Sequence, residues 1–275
     1  MTSKNAVDLR YDSVIKTFRP GDRDACEREW RALTLLATYA PGLAPAPYRV
    51  ELGAAEPLVV MERLPGEPLR GARPIDGQRL RALAAALNEL YAAVPADVLA
   101  EVPARPGRER HLIDRVRAWA PRLRPRVGGA VGEAMDRGLD WLSRSGLELG
   151  GAPEVPAVFG PGDGNLANYL WDGTRVRIVD FEDSGRSDRP FELAEITEHV
   201  AAWSGAPLDA DAFLKLFALN AAERARLADC RGLLALVWLF LLAFDSLEGL
   251  ERRRNPPGTA ERQATRLSRL LDRTS

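Results

Sequence analysis

The spacing of hydrophobic and polar positions changes period several times along the chain. Asp12–Phe18 (DSVIKTF) mixes β-branched residues with a lysine and stops at the turn cluster Arg19-Pro20-Gly21-Asp22, which predicts a strand. Over Asp24–Tyr39, Trp30, Leu33, Leu36 and Ala37 recur at helical spacing behind an acidic first turn, and Pro41-Gly42 ends that helix. Two short strands follow at Tyr48–Leu52 and Leu58–Glu62 (LVVME), closed by the turn-rich Leu64-Pro65-Gly66-Glu67-Pro68. From there the pattern is helical. Asp76–Ala93 puts Leu80, Leu83, Ala84, Leu87, Leu90 and Tyr91 on one stripe. Glu109–Trp119 and Val131–Arg144 continue in the same style, interrupted by Pro121, Pro125 and Gly128-Gly129. One β-like island interrupts this half: Ala157–Phe159 leads into a loop, and Tyr169–Trp171 and Val176–Val179 flank Asp172-Gly173, a hairpin signal. Helical spacing then returns over Glu192–Trp203, Ala210–Phe217, Ala221–Phe244 and Ala260–Arg273. The pattern predicts an α+β protein: a small β-containing N-lobe over residues 1–64 and a mostly helical C-lobe over residues 65–275.

Bulk properties narrow the function classes. With 275 residues the chain can bury a sizeable core as one large domain or two lobes. A net charge of −1 offers no bulk attraction to nucleic acid or to a membrane surface, so neither is expected as a partner. The longest apolar run, Leu233–Phe244, is too short to span a bilayer and reads as a core helix. The N-terminal MTSKNAVDLRYD has no apolar h-region, and the expected location is cytoplasmic. Cys26 and Cys230 sit inside helical patterns and are expected to be buried free thiols. The 2 histidines, His111 and His199, exclude a three-histidine metal site, and each is expected to be an ordinary member of its helical stripe.

Candidate chemistry concentrates in Phe159–Ala194 (FGPGDGNLANYLWDGTRVRIVDFEDSGRSDRPFELA). Asp163 lies in a glycine-rich loop, Asn168 at the lip of one strand and Asp180 at the exit of the next. A hairpin turning at Asp172-Gly173 would bring the Asn168 and Asp180 ends together, so two carboxylates and a carboxamide share a small volume. Mg²⁺ takes oxygen ligands and keeps several waters, so one Asn, one Asp and substrate phosphate oxygens make a reasonable set. A second carboxylate beside them can orient an acceptor hydroxyl and take its proton. Singly, Asp163 and Asn168 read as turn caps and Asp180 as a turn starter; together, with a strand-turn-strand between them, they favour chemistry.

The segment GDGNLAN…IVDFED resembles the catalytic and metal-binding region of the aminoglycoside phosphotransferase and choline-kinase group, a branch of the protein-kinase-like fold. Gly162, Asp163 and Asn168 match the group's H-G-D-x-x-x-x-N, and Asp180-Phe181 matches its strand ending in D-[FW]. Asp188, Glu192, Leu193 and Ala194 resemble its D-P-x-x-D-L-A run, with Glu replacing Asp. Upstream, Val14-Ile15-Lys16 is similar to the strand whose lysine contacts the α- and β-phosphates, and Glu29 to its helix partner, with Glu27 also available. Val59–Pro68 resembles the hinge that binds the nucleobase, which points to Met61, Glu62 and Leu64. The resemblance implies a bilobal kinase-like fold and transfer of a phosphoryl group from Mg-ATP or Mg-GTP to a small-molecule hydroxyl. Asp163 would then be the catalytic base, Asn168 and Asp180 the Mg²⁺ ligands, and Lys16 with Glu29 the phosphate-binding pair.

Two departures are visible. Pro161 stands where the group has histidine, and no complete glycine-rich hairpin precedes Lys16, so Thr2–Val7 would serve as a remnant phosphate cover. A shortened cover predicts weak nucleotide binding. These departures also leave a second reading, a kinase-like protein that binds nucleotide with little or no turnover, and a metal-dependent hydrolase is a third. Glu182 and Asp183 could support the metal site or contact a substrate ammonium group, and Asn165 has no assigned role. Residues 201–275 carry 11 Lys/Arg against 9 Asp/Glu, which is not the acidic wall expected for a polycationic aminoglycoside, although Asp245, Glu248 and Glu251 could form a local cluster. A sugar, an amino alcohol, a peptide antibiotic or another metabolite hydroxyl is equally open as acceptor.

Overall fold

Near the N-terminus four antiparallel strands form one sheet in the order β1 (Ala6–Leu9), β2 (Ser13–Thr17), β4 (Leu58–Glu62), β3 (Pro47–Glu51). The structure is a computed structural model and describes residues 5–71, 75–147, 154–205, 207–248 and 253–273. The β-branched Val14, Ile15, Val59 and Val60 fill the two central strands, where a branched side chain packs well on a pleated surface. Helix α1 (Arg23–Tyr39) covers one face with Cys26, Ala32, Leu33 and Leu36. Cys26 and, further along the chain, Cys230 are buried free thiols.

Strand β1 was not anticipated. All four of its residues are exposed, so its flank of the sheet lacks the one-sided burial that makes alternation readable. It hairpins onto β2 through a tight turn in which Arg10 N–H donates to Ser13 O at 2.9 Å. Of the segment expected to be a remnant cover loop, Ala6-Val7 is therefore strand, and residues 2–4 lie outside the described residues.

The remainder is mostly helical, as expected. In chain order its helices are α2 (Gly77–Ala93), α3 (Ala96–Glu101), α4 (Glu109–Leu123), α5 (Gly129–Arg144), α6 (Arg189–Glu198), α7 (Ala210–Leu214), α8 (Ala221–Leu247) and α9 (Thr259–Asp272). Helix α8 is the hub, packed against α4, α5, α6 and α9. It opens on a capping box, in which Asn220 accepts from Glu223 N–H and the Glu223 carboxylate accepts from Asn220 N–H. By length and composition α8 could cross a membrane, but 67% of its most apolar stretch is buried within the fold, and it serves as a core helix.

Several boundaries differ from expectation, and one more strand is present. Helix α4 runs through Pro121 to Leu123, because a proline one turn from the C-terminus removes only one intrahelical bond. Helix α6 stops at Glu198 rather than Trp203, because His199 turns to φ −56°, ψ 137° and a 3₁₀ turn over Val200–Ala202 follows. The loop after β6 (Ala157–Gly160) is enclosed by a strand that was also missed. β9 (Gly185–Asp188) pairs antiparallel with β6, and its sequence GRSD carries no strand signal. Between them lies the expected hairpin, β7 (Tyr169–Trp171) and β8 (Val176–Ile178), joined on its outer side by the two-residue β5 (Glu67–Pro68).

The α5–α8 contact is close enough to test. A methyl group built on Gly138 of α5 would lie 2.5 Å from Leu236 Cδ1 of α8, and Leu236 is fully buried. Leu236→Ala opens a cavity at this crossing and is expected to cost about 2–5 kcal/mol in chemical denaturation, with the native fold retained. A loss under about 1 kcal/mol would show that the crossing is loosely packed.

Candidate active site

Loop 160–168 is held in place by a buried guanidinium. Arg105, which carried no sequence signal, donates to Glu192 Oε1 (2.9 Å) and Glu195 Oε1 (3.1 Å) on α6 and to the carbonyl of Gly162 (2.6 Å) in the loop. Glu192 Oε2 in turn accepts the Gly162 N–H at 3.2 Å, so the N–H and the carbonyl of that glycine are both bracketed. Burial opposes the Arg105 charge, but Glu192 and Glu195 outweigh it and hold the guanidinium firmly protonated. Two glycines permit the close approach. Gly162 has φ 89°, and a Cβ there would lie 2.0 Å from Asp183 O; a Cβ on Gly164 would lie 2.1 Å from Glu195 O.

Asp163 stands between these glycines. Its Oδ1 accepts the Asn165 N–H at 2.9 Å and its Oδ2 accepts the Asn168 Nδ2 at 3.0 Å. Burial raises its pKa, Asp180 adds to the rise, and these hydrogen bonds and Arg105 oppose it. Asn165 also caps the 3₁₀ turn Leu166–Asn168 by accepting from Ala167 N–H. The hairpin closes as expected: Val179 N–H donates to Asn168 O at 2.9 Å, which brings Asn168 and Asp180 to the same end. Asp180 has φ 70°, a left-handed conformation uncommon for a residue with a side chain and one that Asp tolerates better than most.

The sheet reaches this loop through Lys16. Its Nζ lies 2.8 Å from Glu29 Oε2, 2.5 Å from Asp180 Oδ1 and 2.9 Å from Glu182 Oε2. Glu27, the other candidate partner on α1, pairs with Arg23 instead. Glu182 is fixed further by Asn5, whose Nδ2 donates to its carboxylate, and by Arg28, whose Nε donates to its carbonyl at 2.6 Å. Burial would neutralise Lys16, but Glu29, Asp180 and Glu182 together hold it charged. Glu29, although paired to that lysine, has its pKa raised, first by burial and then by Asp180 and Glu182. The two shifts agree once the charges are counted. One ammonium faces three carboxylates, whose oxygens lie within 4.8 Å of one another, a formal surplus of two negative charges. That surplus and oxygen-only donor set fit a hard divalent cation.

Cross-strand pairing sets what surrounds Lys16. Val7 opposes Lys16, Leu9 opposes Val14, Val14 opposes Met61 and Lys16 opposes Val59, so these side chains share one face of the sheet. Val7 and Leu9 are 56% and 61% exposed and form an uncovered apolar rim there. Of the expected hinge residues, Met61 is buried, Leu64 is half-buried, and Glu62 is clipped to Ala46 by two hydrogen bonds, of 2.9 and 3.1 Å.

His199, expected to be ordinary, faces the loop instead. Its Nε2 lies 3.9 Å from Asp163 Oδ1, and its Nδ1 accepts the Ala201 N–H at 3.0 Å. The helix break that aims it cannot be read from side-chain periodicity; its rarity, one of 2 histidines, was the available signal.

The sequence profile of the Phosphotransferase enzyme family matches residues 5–230. No curated protein matches the chain. Among solved structures, a choline/ethanolamine kinase family protein from Mesorhizobium loti superposes with a TM-score of 0.64 at 17% identity, covering 98% of this chain and 85% of its own. The GDP complex of a wild-type aminoglycoside 2'-phosphotransferase-IIIa gives 0.63 at 16% identity, with 100% and 91% covered. Choline kinase LicA from Streptococcus pneumoniae gives 0.61 at 15% identity, with 99% and 91% covered. At these identities the likeness is one of fold, a bilobal kinase-like architecture with a small antiparallel sheet and a helical lobe.

The Arg105 bracket carries a titration. Burial pushes the Glu195 carboxyl up to about 7, with Glu192 and Asp163 adding to the rise and Arg105 opposing it. A carboxyl with a raised folded-state pKa binds its proton more tightly folded than unfolded. Its contribution is therefore complete below the ordinary glutamate range and is lost as pH rises through about 7. Between about pH 5 and about pH 8 the wild type is expected to lose on the order of 1–3 kcal/mol more stability than Glu195→Gln. Parallel denaturation profiles for the two proteins would contradict this.

Proposed function

The chain belongs to the phosphotransferase enzyme family, and from that premise we propose that it transfers the terminal phosphoryl group of a nucleoside triphosphate, ATP or GTP, to a hydroxyl of a small molecule. The observation that carries this reading is the meeting of Lys16 and Glu29 from the sheet side with Asp163, Asn168 and Asp180 from the loop and hairpin. We assign the nucleotide to the junction of residues 1–64 with residues 65–275.

In this reading Lys16 binds the α- and β-phosphates, and Glu29 holds its chain extended. The apolar face of Val7, Leu9, Val14 and Met61 lies against the base, with Glu62 and Leu64 at its edge. Asp180 and Asn168 hold Mg²⁺, the Asn168 amide being oriented by its Nδ2 donation to Asp163. Bound there, Mg²⁺ would offset the charge that develops on the phosphates. Asp163 orients the acceptor O–H and receives its proton; its burial gives it a proton affinity above that of an ordinary aspartate, as this role requires.

The acids on α6 and at the end of β9 already have arginine partners. Glu192 and Glu195 pair with Arg105, Glu198 with Arg231 and Arg266, and Asp188 with Arg108 and Arg226. Of the remoter acids Asp245, Glu248 and Glu251, the first accepts from Arg254 N–H and from Asn255, and the last lies outside the described residues. An acceptor with few positive charges suits such walls better than a polycation.

The test is release of nucleoside diphosphate on incubation with Mg-ATP or Mg-GTP and a panel of hydroxyl compounds, counted only where release needs the acceptor. Asp163→Asn is expected to leave nucleotide affinity nearly unchanged and to lower turnover by roughly 10²–10⁴. Turnover within a few-fold of wild type would remove Asp163 from this role, and nucleotide binding with no acceptor-dependent release would favour the binding-only reading. Aminoglycosides such as kanamycin are expected to be poor acceptors beside neutral sugars and amino alcohols. A kcat/KM of roughly 10⁴ M⁻¹s⁻¹ or above for kanamycin would contradict that.

A further inference from the structure

His199 is fixed from several sides. Its backbone N–H donates to Glu195 O at 3.0 Å, the same carbonyl against which Gly164 packs, so the loop and the imidazole share one anchor. Its ring meets the Trp238 ring edge-on, with centroids 4.7 Å apart at 81°. Because Nδ1 accepts a backbone N–H, the neutral ring carries its proton on Nε2, the nitrogen that faces Asp163.

The 3.9 Å between Nε2 and Asp163 Oδ1 is too long for a hydrogen bond but spans a shared oxygen. With bonds of about 2.7 and about 2.9 Å to the two groups, an oxygen between them subtends an angle of roughly 90°, close to what a hydroxyl making two hydrogen bonds adopts. We propose that His199 is an acceptor-binding residue: the substrate hydroxyl sits between Asp163 Oδ1 and His199 Nε2, donating to the first and accepting from the second. This rests on the phosphotransferase reading of Asp163. The hydroxyl then has one lone pair held by Nε2–H and another free for phosphorus. As its oxygen bonds to the terminal phosphorus, the bond from phosphorus to the bridging oxygen breaks, the electron pair leaves with the nucleoside diphosphate, and the hydroxyl proton passes to Asp163. The pairing also discriminates chemically. An ammonium group has no lone pair to accept from Nε2–H, so the site selects an alcohol over an amine at the reacting position.

The experiment uses the panel compound that supports the fastest diphosphate release by the wild type. His199→Leu is expected to lower kcat/KM for that acceptor by about tenfold or more while changing the nucleotide KM by less than about twofold. His199→Gln, which keeps a side-chain N–H donor, is expected to recover most of the loss; a purely structural role would not produce that split or that rescue. Wild-type acceptor kinetics in His199→Leu, or a His199→Gln no better than His199→Leu, would overturn the inference. Turnover lost in Asp163→Asn but unaffected in His199→Leu removes the inference and leaves the phosphotransferase reading, whereas turnover surviving in Asp163→Asn removes Asp163 from its role and the inference with it; no acceptor-dependent release by the wild type removes the phosphotransferase reading itself. A readout that needs no acceptor is the ¹⁵N resonance pattern of the His199 ring, assigned against His199→Gln among the 2 histidines. A neutral ring protonated on Nε2 supports the placement, and one protonated on Nδ1 overturns it.

Discussion

The arrangement of the site depends on the burial of one positive charge. A guanidinium removed from water must be met by acceptors on several sides, and Arg105 finds them in Glu192, Glu195 and the carbonyl of Gly162. Each partner belongs to an element that the site needs in a set position: the loop that carries Asp163, and the helix whose end carries His199. Burying the charge therefore ties the loop to α6, and the glycines at 162 and 164 let the two backbones approach closely enough for the tie to form. Loss of the arginine would leave two buried carboxylates facing each other, and the loop would have no reason to keep its place.

The number of cations per carboxylate sets the surroundings of Lys16 apart from those of Glu198 and Asp188. Glu198 has two arginines and Asp188 has two, whereas Glu29, Asp180 and Glu182 share a single ammonium. Asp180 and Glu182 add to the raised pKa of Glu29, and like charges held this close repel, so such a cluster is a cost unless something else enters it. Asp180 adds a second cost in its left-handed backbone. Two unfavourable features at one position, beside a loop organised by buried hydrogen bonds, support the proposed binding of a cation and phosphates there. The same features have no explanation in packing alone.

The sequence was most informative where side chains alternate or recur on one face. Helices α1, α2, α5, α8 and α9 and the β7–β8 hairpin announce themselves by apolar spacing and by Asp172-Gly173. The meeting of Asn168 with Asp180 follows from that hairpin, so this part of the candidate site could be placed in advance, and the kinase-like fold came with its motifs. What escaped has no local signature. β1 is exposed along its length, β9 is four small or polar residues, and both are strands only because a partner strand lies beside them. Arg105 lies more than 50 residues before the carbonyl it holds, in a proline-rich connector where an arginine looks like any solvated charge. His199 was placed on a helix that in fact ends one residue earlier, and that single backbone rotation turns a stripe residue into one facing Asp163.

The scarcity of lysine gives a last physical contrast. Of 38 basic residues only Lys4, Lys16 and Lys215 are lysines, so arginine is the default cation of this chain and makes its buried structural pairs. Arginine suits those places because its planar fork meets two acceptors at fixed angles, as Arg105 does with Glu192 and Glu195. Lys16 must meet three carboxylates arriving from α1 and from the segment after β8, at 2.5–2.9 Å around one atom. A compact ammonium has three donors that rotate to whatever directions its partners offer, and a rigid fork does not. The same freedom lets an ammonium exchange a carboxylate for a phosphate oxygen without moving its stem. If Lys16 binds phosphates as proposed, its partners change during the reaction, and there a point charge is the better tool.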